Sequence, residues 1–288
     1  MPLSALALVL TAAVMHALWN LAAKKAQGGA HFMLLNAVVS TIIYTPVVFL
    51  LLRRGDLPTT LLPWFTMTAS GFIHIAYYLV LQKGYREADL SVVYPVARGS
   101  GPLLSVTIAV LLLGERPSLQ ALLGALLVVV GVLYLAGGPQ LFRSHDPRKR
   151  AGLVWGALTG LLIATYTLVD GYSIRALGVA PLLLDYISNW VRVLAFGPGA
   201  LFQREALAAE WRRTWRYAVT IGVLAPLGYI LVLTALQSAP ISAVAPTREL
   251  SMLVAAFLGA RMLGEGEVLR RVLCAAVIGA GVALIALG

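Results

Sequence analysis

Apolar runs of about 20 residues follow one another along the whole chain, separated by short polar or glycine-rich breaks. A helix rises about 1.5 Å per residue, so about 20 residues cross a hydrocarbon core of roughly 30 Å. The pattern therefore predicts an all-α polytopic membrane protein. Its ten predicted transmembrane helices lie near residues 3–23, 31–52, 62–84, 89–113, 118–137, 151–174, 180–202, 215–237, 241–263 and 268–287.

Charged residues are scarce, at 12% of the chain, which is about half the share of a typical soluble domain. The formal net charge of +10 raises the question of a nucleic-acid partner. Most Lys and Arg residues, however, stand at helix ends and in short loops, where lipid headgroups and the rules of membrane insertion account for them. We therefore expect membrane lipids as partners and no nucleic acid.

The chain repeats itself at an offset of about 150 residues, which is typical of repeat-built membrane proteins. The matching pairs are Arg98 with Arg248, Gly114 with Gly264, Glu115 with Glu265 and, one residue out of step, Pro95 with Pro246 and Tyr78 with Tyr229. The polar stretch 138–150 separates two halves, which we predict to span 1–140 and 150–288. Five helices per half is an odd number, so the halves would cross the membrane in opposite directions, as an inverted repeat.

Positive charge is unevenly divided between the two sides of this predicted arrangement. The odd-numbered loops and adjoining helix ends carry 15 Lys and Arg residues, whereas the even-numbered ones carry 4. Because positive loops stay in the cytoplasm, the count predicts that both termini lie outside. The first apolar run begins at Leu3 with no charged segment before it and no convincing cleavage site after it, so we interpret it as a membrane helix and not a signal peptide.

Six charged residues fall inside the predicted helices away from their ends: Arg98, Arg192, Arg248, Asp170, Asp185 and Glu249. Each charge in a bilayer costs roughly 2.5–3.5 kcal/mol on insertion scales, so each needs a reason. In a functional interpretation, Arg98 and Arg248 face a cavity between the halves and receive a substrate carboxylate. In a structural interpretation, they pair with Asp170 or Glu249. Both interpretations apply, in different conformations, if the ion pair forms and breaks as a gate.

Asp185 and Arg192 are seven residues apart, on roughly one face of a helix. For these two we expect an ordinary structural pair or a headgroup anchor.

Five residues are candidates for coupling or gating: Asp170, Glu249, His16, Pro95 and Pro246. Asp170 replaces Asn20 in the second half, so one half has an ionisable group where the other has a neutral amide. Histidine changes charge near neutral pH, although a hydrogen-bonded structural histidine is the commoner outcome. The prolines remove a backbone donor and loosen the helices beside the two repeated arginines.

Aromatic residues lie in the middle of the predicted helices, away from the ends where membrane-interface aromatics cluster. This set comprises Tyr77, Tyr78, Tyr94, Tyr166, Tyr186, Trp190 and Tyr229. Such tyrosines offer an apolar face and a hydroxyl to a substrate of mixed character or to an organic cation. Our candidate substrate-binding residues are Arg98, Arg248, Tyr78, Tyr94, Tyr166, Tyr229, Trp19, Asn20 and His74.

The sequence has no motif for a metal, a cofactor or an enzymatic reaction. Cys274 is the single cysteine, and no histidine or carboxylate cluster has metal-ligand spacing. There is also no Gly-x-Ser-x-Gly, His-Glu-x-x-His or nucleotide loop. Gly152, Gly156 and Gly160 recur every four residues and predict close packing of helix 6, within the chain or between chains. The oligomeric state stays open, with a monomer favoured.

Several of these residues also stand in a pattern that resembles a known family, the EamA-type branch of the drug/metabolite transporter superfamily. The pattern comprises His16-Ala17-Leu18-Trp19-Asn20 with Lys24-Lys25, Tyr94-Pro95 with Arg98-Gly99-Ser100-Gly101-Pro102, Leu113-Gly114-Glu115-Arg116, Ala245-Pro246-Thr247-Arg248-Glu249-Leu250-Ser251 and Leu263-Gly264-Glu265. The resemblance implies ten helices in an inverted repeat, a central cavity and alternating access without ATP. It also implies cytoplasmic termini, against the charge count, and the second Gly-Glu turn departs from the pattern with Gly266 in place of an arginine.

Within that family, the chain most resembles bacterial exporters of amino acids, including aromatic ones. We therefore expect a secondary transporter of small metabolites in the bacterial inner membrane, and not an enzyme. The alternatives are a choline or organic-cation importer or a multidrug exporter of the same fold and, further away, a lipid flippase or an intramembrane enzyme. A pair of cavity arginines favours a carboxylate over a bare cation. Proton coupling and facilitated diffusion both stay open.

Overall fold

The computed structural model describes residues 1–26, 28–55, 57–88, 90–135, 138, 146–251, 254 and 268–288. Within these residues the chain forms ten helices and no strand, which confirms the all-α prediction. The helices are α1 Leu3–Ala26, α2 Ala30–Arg54, α3 Leu61–Glu87, α4 Leu90–Leu111, α5 Leu119–Leu135, α6 Pro147–Arg175, α7 Pro181–Leu201, α8 Arg204–Ala235, α9 Ile241–Thr247 and α10 Val268–Leu287.

Five of these helices are long and apolar enough to cross a membrane. They are α1, α2, α3, α6 and α8, and shorter apolar helices lie at Leu119–Tyr134 and Leu273–Leu287. Large apolar side chains such as Leu61, Phe65 and Leu111 are mostly exposed, as they are on a surface that faces lipid. In α7, by contrast, Asp185 and Arg192 interrupt the apolar pattern.

Helix α8 is longer than the sequence predicts. Residues 203–216 are hydrophilic and lie almost wholly between two predicted helices, but all except Gln203 belong to the first half of this 32-residue helix. The segment contains good helix formers, and Arg213 forms a salt bridge with Glu210 one turn away, at 2.8 Å. At about 1.5 Å per residue, α8 is roughly 48 Å long, so it extends well beyond a hydrocarbon core of roughly 30 Å.

The two halves pack extensively on each other. Helix α1 of the first half packs on α8 of the second and α3 packs on α6, while α2 contacts α7 and α5 contacts α10. Helix α6 also packs closely on α4, where Gly156 faces Val96 and the carbonyl oxygen of Val93. Gly152 and Gly160 face Val92 and Ser100 of the same helix. The predicted glycine packing therefore lies within the chain.

Both termini lie at one end of the bundle, which we call the terminal end. The amino group of Met1 donates to the carbonyl of Ala286 at 3.2 Å. Gly288 lies beside Ser118, at the start of α5. The opposite end, where α6 begins after Asp146, is the linker end.

Glu115 ties three elements together at the terminal end. It stands in the turn between α4 and α5, next to Gly114, whose φ of 69° favours glycine. Its carboxylate accepts hydrogen bonds from the backbone N–H groups of Ile241 at 2.8 Å and Ser242 at 2.9 Å. It also pairs with Arg175 at the end of α6, at 2.8 Å. We call Glu115, Arg175, Ile241 and Ser242 the Glu115 clamp.

Candidate functional site

A cavity of about 400 Å³ lies between the two halves, within the size range of small-molecule sites. The residues around it come from α1, α2, α3, α4, α6, α7 and α8, and from Arg248 just after α9. All nine predicted substrate-binding residues line it: Arg98, Arg248, Tyr78, Tyr94, Tyr166, Tyr229, Trp19, Asn20 and His74. They belong to both halves, so the fold brings residues from distant parts of the chain into one site.

The cavity extends from the middle of the bundle towards the linker end. Gly28 and Met33, just before and within the start of α2, and Gln82 near the end of α3 belong to its lining there. Towards the terminal end, Tyr44 of α2 donates to the carbonyl of Val223 at 2.9 Å. The Glu115 clamp lies beyond these contacts, so the helices are held together at the terminal end.

Arg98 is engaged by the other half of the chain. Its Nε lies 2.9 Å from Oε2 of Glu249, and its Nη2 donates to Oγ of Ser251 at 2.9 Å. The contact with Glu249 is an ion pair without hydrogen-bond geometry. Glu249 is 2% exposed and does not line the cavity. For Arg98, the structural interpretation therefore describes this conformation.

Arg248 has a different environment. It is 8% exposed, and its Nη2 donates to the hydroxyl of Tyr166 at 3.2 Å. Within the described part of the chain, no carboxylate forms an ion pair with it. The backbone beside it leaves the α-helical pattern, because the N–H of Glu249 bonds to Pro246, three residues back, at 3.0 Å. Arg248 thus presents a buried cation to the cavity at a break in the helix.

Four aromatic rings form what we call the aromatic cluster: His74, Tyr77, Tyr166 and Tyr229. His74 stacks on Tyr166 with ring centroids 4.2 Å apart, and Tyr229 meets His74 edge-on at 5.5 Å. Nδ1 of His74 lies 2.9 Å from the carbonyl of Ser70, which can only accept, so this nitrogen carries the hydrogen. His74 is therefore hydrogen-bonded in the manner expected of a structural histidine.

The predicted coupling and gating residues occupy different places. His16 lines the cavity, with its Nδ1 3.0 Å from the carbonyl of Ala12. Pro246 is buried in α9, and Pro95 lies in α4. The second Gly-Glu turn, Gly264 and Glu265, is outside the described residues.

Asp170 lies behind the aromatic cluster. It is fully buried, accepts a hydrogen bond from the hydroxyl of Tyr229, and is absent from the cavity lining. Its second oxygen has no hydrogen-bond partner among the residues described. Neither Arg98 nor Arg248 forms an ion pair with Asp170 in the described structure. The alternative pairing, with Glu249, is present at Arg98.

A polar group on α7 lies at the cavity, and sequence reasoning named two of its three members. Asp185, Asn189 and Arg192 all line the cavity, and Asp185 forms no direct ion pair with Arg192 in the described structure. Nδ2 of Asn189 donates to Oδ2 of Asp185 at 2.9 Å, and Nη1 of Arg192 donates to Oδ1 of Asn189 at 3.1 Å. The spacing of four and three residues places Asp185, Asn189 and Arg192 on one helix face, and this spacing can be seen in the sequence.

Some predicted aromatic residues do not reach the site. Tyr186 and Trp190 are missing from the cavity lining, and Trp190 is 39% exposed. Tyr186 instead shares a hydrogen bond between hydroxyl groups with Thr45 at 2.8 Å. In the portion of the chain that the structure describes, no group of three or more His, Cys, Asp or Glu residues is placed to hold a metal ion.

Comparison with known proteins identifies the family. The model of the EamA-like transporter family matches residues 3–137 and again residues 150–287. A solved crystal structure is similar over 100% of this chain and 98% of its own, with a TM-score of 0.76 and 17% sequence identity, which shows a shared fold. No curated protein matches the chain in sequence. The chain therefore belongs to the EamA-like transporter family, of the drug/metabolite transporter type, and is a multi-pass membrane protein.

Proposed function

We propose that the protein is a secondary transporter that exports amino acids, aromatic ones included, across the bacterial inner membrane. The observation that carries this proposal is Arg248, a buried guanidinium that lines the cavity without an acidic partner among the described residues. Family membership supports transport by a protein of this type. The substrate, the direction and the membrane are our inference beyond it.

The chemistry of Arg248 favours a carboxylate. A buried charge is costly unless it is paired and hydrogen-bonded, and the side-chain hydrogen bond described above goes to a neutral hydroxyl. A guanidinium offers a planar pair of donors that matches a carboxylate bidentately. The aromatic cluster beside it supplies apolar faces and hydroxyl groups for the side chain of an aromatic amino acid.

Arg192 is a second cavity-lining arginine without an ion pair in the described structure. Its Nη1 already donates to Asn189, and the carboxylate of Asp185 lies on the same helix face two turns away. That negative charge offsets the attraction of Arg192 for a substrate carboxylate. Arg248 is therefore the better site for the acid group.

We further propose that transport proceeds by alternating access between two halves arranged as an inverted repeat. The reciprocal packing of α1 on α8 and α3 on α6 supports that arrangement. The cavity reaches towards the linker end while the Glu115 clamp holds the terminal end together. Transport would require the clamp to open and the linker end to close.

The test is uptake by purified protein in proteoliposomes. Labelled tryptophan and choline are compared for the unmodified protein, Arg248→Gln and Arg212→Gln, the last removing an arginine on the exposed part of α8. We expect tryptophan uptake to fall at least about tenfold in Arg248→Gln, because the substitution removes roughly one charge-assisted hydrogen bond to the substrate. Uptake should persist in Arg212→Gln. Equal uptake by all three proteins would contradict a carboxylate site at Arg248.

Transport of an organic cation is the second candidate function. Aromatic rings and the carboxylate of Asp185 line the same cavity, and both attract cations. Choline uptake that survives Arg248→Gln would favour this candidate and assign the arginine to structure. Repeating both assays with and without a pH gradient distinguishes proton-coupled transport from facilitated diffusion.

A further inference from the structure

Three buried acidic residues differ in their relation to the cavity: Asp170, Asp185 and Glu249. Asp170 is fully buried behind Tyr229, and Glu249 is paired with Arg98. Asp185 is 4% exposed and is the one of these three that lines the cavity. A cationic group inside the cavity therefore has Asp185 as its available carboxylate.

We propose that Asp185 binds the ammonium group of the transported amino acid. This inference rests on the proposed function and deepens it, because it assigns the cationic end of the substrate to a named residue. With the carboxylate at Arg248, the site recognises both charges of a zwitterion. It then selects amino acids over the corresponding deaminated acids.

The local geometry keeps Asp185 available. Asn189 lies between Asp185 and Arg192. Its Nδ2 donates to Oδ2 of Asp185, and its Oδ1 accepts from Nη1 of Arg192. Asp185 and Arg192 form no direct ion pair in the described structure. The amide thus separates two opposite charges that direct contact would neutralise.

The remaining hydrogen-bonding capacity of Asp185 supports a ligand. Its Oδ2 accepts from Asn189, whereas no hydrogen bond from a described residue reaches Oδ1. Arg192 reaches this buried carboxylate only through the amide of Asn189, so the charge of Asp185 is only partly balanced within the described structure. An ammonium group carries three N–H donors and a full positive charge, so it supplies what the carboxylate lacks.

Three probes separate the two ends of the substrate: L-phenylalanine, 3-phenylpropanoate, which lacks the amine, and 2-phenylethylamine, which lacks the carboxylate. Binding of each probe to the detergent-purified protein is measured by isothermal titration calorimetry. The variants are Asp185→Asn and, as a matched acid-to-amide control, Glu205→Gln on the exposed start of α8. Size-exclusion chromatography checks that each variant is folded.

We expect Asp185→Asn to raise the Kd for phenylalanine and for 2-phenylethylamine by roughly 10- to 100-fold. The Kd for 3-phenylpropanoate should stay within about threefold of its value for the unmodified protein. Glu205→Gln should match the unmodified protein. Equal weakening of all three probes, or no weakening of any, would overturn the role of Asp185 while amino-acid binding by the unmodified protein stands. If the unmodified protein binds none of the probes, the proposed function fails first.

Discussion

At the scale of single residues, the two repeated arginines have separate environments. Arg98 is paired with Glu249 and Ser251, whereas Arg248 contacts a tyrosine hydroxyl and lines the cavity with no ion-paired acid among the described residues. Sequence symmetry treats the two arginines as equivalent. The structure therefore predicts that the same substitution has different consequences at the two positions.

Removing the charge of Glu249 should destabilise the protein. Glu249→Gln removes the counter-charge of Arg98, whose side chain is 13% exposed, and breaking a buried pair costs up to about 3–5 kcal/mol. The double change Arg98→Met with Glu249→Gln removes both charges and should cost less than the single change. The midpoint of thermal unfolding in detergent compares them. A double variant less stable than Glu249→Gln would contradict this account.

At the scale of helices, the contact of α6 with α4 depends on the absence of side chains. A Cβ at Gly156 would lie 2.9 Å from the carbonyl oxygen of Val93, whereas a Cβ at Gly279, on the exposed face of α10, meets nothing within 4 Å. Gly156→Ala should therefore destabilise by roughly 1–3 kcal/mol. Gly279→Ala should be neutral or stabilising by up to about 1 kcal/mol. Thermal unfolding of the pair measures the difference, and equal midpoints would refute it.

The Glu115 clamp is the contact between elements that bears on transport. Glu115→Ala removes an acceptor for two backbone N–H groups and the partner of Arg175, so the terminal end should open more often. Spin labels at Arg53 and Ala176, in a Cys274→Ser background, report the separation of α2 from the α6–α7 turn. We expect a larger population of long distances in Glu115→Ala. An unchanged distance distribution would show that other contacts close this end.

At the scale of the whole molecule, the charge count predicts on which side of the membrane the termini lie. Fifteen Lys and Arg residues against four place the termini outside, whereas the family resemblance implies the cytoplasm. Fusions of alkaline phosphatase and of a fluorescent protein to the C-terminus decide between them. Active phosphatase with a dark fluorescent protein is the expected result. The reverse pattern would show that loop charge does not set the orientation.

Periodicity and composition predict much of the fold, because the membrane demands long apolar helices of similar length. The repeated arginines and mid-helix tyrosines also point to the cavity, since buried polar groups in a membrane need a reason. Two features escape this reasoning. Residues 204–216 continue α8 as helix because they include good helix formers, with a small contribution from the Glu210–Arg213 pair, although polarity alone suggests a loop. The spacing of Asp185 and Arg192 suggests a direct pair, but the intervening amide of Asn189 acts only in three dimensions.

The proximity of Met1 to Ala286 has a consequence for protein engineering. A short glycine-serine linker would join these ends at the terminal end, and a cut in the connection before Pro147 would create new ends at the linker end. The resulting circular permutant would begin with the second half and finish with the first. Its assembly would reveal whether the order of synthesis matters to a molecule built from two similar units.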